Sequence, residues 1–121
     1  MLLAVSKATG QNCDCIPRIA SGLQGGMGVG EVCGAISGAA LAIGLLYGQD
    51  QPEAAHHLTR EFMRQYAEQN GAVRCIDITG VDMGSALGLL LYLVKGGKKK
   101  CNRVVGGAVQ VLLDLLEDWQ S

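Results

Sequence analysis

One tryptophan, one phenylalanine and three tyrosines are the only aromatic residues in this chain of 121. Its core therefore has to be built from aliphatic side chains, alanine and glycine. No stretch alternates apolar and polar residues with period two for long enough to make a strand, which leaves an all-α fold as the expectation. Excess positive charge is missing as well: the net charge of -1 excludes the electrostatic footprint of a nucleic-acid binder. The first ten residues, MLLAVSKATG, lack the basic leader and long apolar core of a signal peptide, so a cytoplasmic protein is expected. The uncharged run from Glu31 to Asp50 only reaches the lower limit of roughly 17 residues for a bilayer span. A second apolar run, Ala86 to Val94, is shorter still. Both read as buried core helices, and membrane contact is not expected.

Two further absences narrow the chemistry. Gly25, Gly26, Gly28 and Gly30 are followed by no Lys-Ser/Thr pair, and they come after a helix and a turn where a dinucleotide fold needs a strand. No serine-histidine-acid arrangement is present, so hydrolysis has no support.

What the chain does have is glycine, 18 residues, against a usual share of roughly 7 per cent. The glycine-rich entry leads into GAISGAALAIGLLYG, which reads as a helix with no solvent face and as the centre of the predicted fold. Gly34, Gly38 and Ala42 recur every fourth residue, making a groove for another backbone. At this length the chain should form one domain, a compact bundle of about five or six helices around the glycine- and alanine-rich one.

The flanking elements follow from punctuation. Leu2 to Thr9 reads as a helix without a capping residue, so the chain is expected to begin inside that helix. Pro17 opens a short helix from Ile16 to Leu23. Asp50 to Glu53 has the form of a capping box for a helix reaching Gln69, with Ala54, Ala55, Leu58, Phe62 and Tyr66 inward and Arg60, Arg64 and Glu68 outward. Asn70-Gly71 closes it. Cys75 to Thr79 suggests one helical turn, Ser85 to Val94 a helix, and Gly96 to Lys100 a basic loop. The last helix, Cys101 to Trp119, carries a stripe of Val104, Ala108, Val111, Leu115 and Trp119, widened by Val105, Val109, Leu112 and Leu116. So wide an apolar face predicts cover on two sides, and hence a homodimer.

Five cysteines without an export signal imply reduced thiols. Cys33, Cys75 and Cys101 share a context: each is placed at the start of a helix, Cys75 directly after Arg74 and Cys101 between Lys100 and Arg103. Helix amino termini and neighbouring cations both lower a thiol pKa. Their separations of 42 and 26 residues fit no local metal knuckle, so a site must be assembled by folding. The same thiolates admit an iron-sulfur cluster or zinc, or no cofactor at all. As buried cysteines in a non-catalytic interaction module they would simply pack. Cys13 and Cys15, two apart, read as loop residues more than as metal ligands or a bridge. His56 and His57 point roughly 100° apart on a helix, which puts one at the core edge and the other in water. Glu31, Asp77 and Asp82 have no evident partner.

In their order, IPRIASGLQGGMG, EVCGAISGAALAIGLLYG, EFMRQYAEQNGAVRC and CNRVVGGAVQVLLDLLE resemble the C_GCAxxG_C_C family over essentially the whole chain. The Cys-Gly-Ala-x-x-Gly stretch from Cys33 to Gly38 is the most specific part. The resemblance implies a small helical protein with cysteine-based redox activity and an unidentified redox partner. Cys33, Cys75 and Cys101 match three of the family's four characteristic cysteines. The first, near the start of an amino-terminal helix, has no match here, since neither Cys13 nor Cys15 lies in its place.

Overall fold

A computed structural model describes residues 6–7, 10, 14–24, 26–81 and 85–120, with Gln120 by its backbone alone. Among them are six α-helices: α1 (Ile16–Ala20), α2 (Gly34–Tyr47), α3 (Pro52–Asn70), α4 (Cys75–Thr79), α5 (Ala86–Val94) and α6 (Gly97–Gln120). The class is all-α, as the missing period-two pattern requires. The expected helix over Leu2 to Thr9 is described only at Ser6 and Lys7, which are helical. Its start, Cys13 and Asp82 lie outside the described residues.

Three helices make the core. Ile36, Ala39, Ala42 and Ile43 of α2 meet Leu58, Phe62 and Tyr66 of α3 and Ala108, Val111, Leu112, Leu115 and Leu116 of α6. Phe62 and Tyr66 stack with ring centroids 6.0 Å apart, so two of the few aromatics fill one layer. Small residues on α2 allow close approach: Gly38 and Ala42 are buried, and a Cβ on Gly34 would come within 2.9 Å of the Leu23 carbonyl oxygen. The solvent face of α3 carries Arg64, which pairs with Glu61 and with Glu68 at 2.7 Å. That pairing, with Gln65, holds the Glu61 carboxyl down at about 2.

Four expectations change, two of them at element ends. The capping box does not form, because Gln51 takes the cap position and Pro52 the first helical one, where its fixed φ fits best. The last helix begins at Gly97, so Lys98, Lys99 and Lys100 form its first turn and no basic loop intervenes. Val105 and Trp119 are exposed instead of completing the inward stripe. His56 and His57 both face solvent, the His57 ring lying 5.9 Å from that of Trp119.

Ser85 caps α5, its hydroxyl accepting the Gly88 amide at 2.9 Å. Ser85→Ala should cost about 1 kcal/mol, read as a lowered midpoint in thermal or denaturant unfolding. No helix of the described residues is long and apolar enough to cross a membrane.

Candidate functional site

Two chain segments far apart in sequence are stitched together at the front of α2 and α4. Gly26, Met27, Gly28 and Gly30 all take left-handed φ values, 62° at Met27, and fold the chain tightly enough for the Glu31 amide to donate to the Gly26 carbonyl at 3.0 Å. Val32 then pairs antiparallel with Arg74 in an isolated bridge. Within it the Cys33 amide donates to the Val73 carbonyl at 2.8 Å, and the Cys75 amide to the Glu31 carbonyl at 2.6 Å. The Arg74 guanidinium reaches the Glu31 carboxylate at 3.1 Å. Cys33 caps α2 and Cys75 opens α4, so the bridge sets two helix starts, each with its thiol, side by side.

Glycine is required at the fulcrum. A Cβ on Gly26 would lie 2.5 Å from the Glu31 carbonyl oxygen and 2.9 Å from the Cys75 Cβ. The loop and α4 therefore approach each other more closely than any side chain at 26 would allow.

Cys101 arrives from α6, which packs on α4 and on α5. It sits in the second turn and not at the amino terminus, because the helix starts at Gly97. Tyr92 of α5 donates its hydroxyl to the Cys101 Sγ at 3.4 Å. The α5–α6 turn makes this contact possible: Gly96 is left-handed, and a Cβ on Gly97 would fall 2.1 Å from the Tyr92 ring.

All three thiols are free, and two of them bear on the third. Burial, then the Cys33 and Cys101 thiols, push the Cys75 thiol up; this side chain is 7% exposed. The expectation of a lowered Cys75 pKa is thereby reversed. Burial outweighs the short helix, and the Arg74 charge is already paired with Glu31. Cys33 and Cys101 are half-buried. The hydrogen bond to Cys101, then burial and the Cys101 and Cys75 charges, push the Tyr92 hydroxyl up to about 12. Burial and, to a lesser degree, Cys33 also raise Tyr66.

Because the folded state holds the Tyr92 proton more tightly than an ordinary tyrosine of 10.0, stability should fall as pH climbs from 10 towards 12. The late-titrating phenolate should be absent from the ultraviolet titration of Tyr92→Phe.

Cys15 is disulfide-bonded, contrary to the expectation that every thiol stays reduced. Among the described residues no three His, Cys, Asp or Glu side chains are grouped to hold a metal ion. Sequence reasoning missed Tyr92, although it is the one hydroxyl in the otherwise aliphatic ALGLLLYLV. It also missed the Glu31–Arg74 pair, whose members lie 43 positions apart.

The fold is an all-helical one in which a backbone bridge sets the Cys33 and Cys75 segments side by side and Tyr92 reaches Cys101. The particular family follows from the sequence: the chain belongs to the family described as "Putative redox-active protein (C_GCAxxG_C_C)", whose model matches residues 1–115. Searches of curated proteins and of solved structures find no match.

Proposed function

We propose that Cys33, Cys75 and Cys101 form a thiol-disulfide redox centre acting on a small or protein disulfide. The observation that carries this reading is the backbone bridge that sets Cys33 and Cys75 side by side, with the Cys33 and Cys101 thiols both bearing on Cys75. Cys101 is the attacking thiolate. It is half-exposed, and the Tyr92 hydroxyl, kept protonated by its raised pKa, donates to its sulfur. Attack on RSSR forms a protein–S–S–R bond and expels RS⁻. The Cys75 thiolate then attacks the Cys101 sulfur, closing an internal disulfide and releasing the second RS⁻. Two protein thiols are oxidised, one external disulfide is reduced to two thiols, and the protons of Cys75 and Cys101 end on the products. Cys33 is the remaining thiol able to exchange with Cys75.

The test is thiol counting by alkylation and mass spectrometry after equilibration with a disulfide buffer, alongside metal and acid-labile sulfide content. One reversible disulfide among the three cysteines is expected. Near-stoichiometric iron or zinc that disappears in Cys33→Ser would replace this reading with metal binding. Three thiols that stay free throughout would leave only packing.

The redox centre is proposed to work in a homodimer joined through α5. Leu87, Leu89, Leu90, Leu93 and Val94 are exposed in one continuous arc of roughly half the helix circumference. Sedimentation should give a dimer that Leu90→Asp converts to monomer; a wild-type monomer at micromolar concentration would refute it.

A further inference from the structure

Between α3, α4 and α6 lies an open cleft of about 380 Å³, within the range of small-molecule sites. Its floor is apolar, from Ala72, Ile78 and Val104, and its rim is polar, with Asn70, Asp77, Lys100 and Arg103. The thiols themselves do not line it, but residues next to them in the chain do. Lys100 and Val104 flank Cys101 on α6, Asp77 and Ile78 follow Cys75 on α4, and the lining residue Tyr66 is the one whose hydroxyl feels Cys33.

The cations on this rim are not explained by the stability of the fold. Among the described residues neither Lys100 nor Arg103 takes part in an ion pair, although Arg64 and Arg74 do. Lys100 also stands in the first turn of α6, where the helix dipole disfavours a positive charge by about 0.3–1 kcal/mol. From residue 83 to residue 113 the sequence has five cations and no acid, in a chain whose net charge is -1. Such a field draws anions to the mouth of a cleft.

We propose that this cleft binds the carboxylates of a small peptidic disulfide through Lys100 and Arg103, with Asp77 facing its ammonium group, so that the disulfide is presented to Cys101. This rests on the thiol-disulfide reading and names its substrate class. Arg103 suits a carboxylate through its two-pronged donor geometry, and the apolar floor accommodates the methylenes next to the sulfurs.

The experiment compares exchange rates with glutathione disulfide, which carries carboxylates and ammonium groups, and with the neutral bis(2-hydroxyethyl) disulfide. The ratio of the two rates is expected to fall about tenfold in Lys100→Gln/Arg103→Gln, the scale of losing one to two charge-assisted contacts. It should hold within about twofold in Lys98→Gln/Lys99→Gln, which removes the same charge from the same turn outside the cleft. A ratio that falls equally in both double variants, or in neither, overturns the site and leaves the redox centre standing. A wild-type protein that exchanges with neither disulfide overturns both.

Discussion

Gly26→Ala is expected to destabilise the protein by about 3 kcal/mol or more and to separate Cys33 from Cys75. Two costs add at this position. The backbone is left-handed, φ 64°, a conformation that costs an ordinary residue roughly 1–2 kcal/mol. The added methyl would also meet the Glu31 carbonyl oxygen at 2.5 Å and the Glu31 amide nitrogen at 2.6 Å. Neither is the yielding end of a side chain, so the loop has to move, at the 1–3 kcal/mol typical of overpacking. Moving it strains the Glu31 carbonyl bond to the Cys75 amide and the Val32–Arg74 bridge. Denaturant unfolding reads the first effect, and the yield of internal disulfide reads the second. An alanine variant with wild-type stability and disulfide yield would mean that the loop does not position the thiols.

The second large effect falls on chemistry. Cys75→Ser should lower turnover with a disulfide substrate on the order of a hundredfold or more, as expected when a nucleophile is removed, while the first attack persists. Serine is close in volume to cysteine, so the fold should hold. The variant should accumulate a mixed disulfide on Cys101 that mass spectrometry can locate, because the residue placed to resolve it is gone. In the wild-type protein the closing step should accelerate as pH rises past the ordinary thiol value of 9.0, since Cys75 is pushed above it and only its thiolate attacks. An unchanged turnover in Cys75→Ser, or a flat alkaline profile for disulfide closure, would assign the resolving role elsewhere.

Why Cys75 needs such a profile is a matter the sequence reading had reversed. Arg74 beside it and a helix start beneath it both argue for a lowered pKa. Those are only neighbours along the chain, whereas the causes that decide the shift come from across the fold: the burial of Cys75, then the thiols of Cys33 and Cys101. Cys101 teaches the same lesson at an element boundary. Gly96 and Gly97 look like loop residues, yet only Gly96 turns the chain. Gly97 is already helical, its missing Cβ leaving room for the Tyr92 ring, and Cys101 moves from the first turn into the second.

The sequence by itself determined the all-α class, the family, the helix spans of α1 to α5 to within a few residues, and the buried face of α3, whereas α2, read as having no solvent face, leaves Leu41 exposed. These follow from short-range rules: apolar spacing, glycine and proline at element ends, and a single cysteine motif. Tertiary structure alone decided that Val32 would bridge Arg74, that Tyr92 would reach Cys101, and that an apolar α5 would stay exposed. Each of those depends on which surfaces meet after collapse. A backbone bridge between segments over forty residues apart leaves no periodicity in the sequence, and the field at a thiol is the sum over whatever folding has brought beside it.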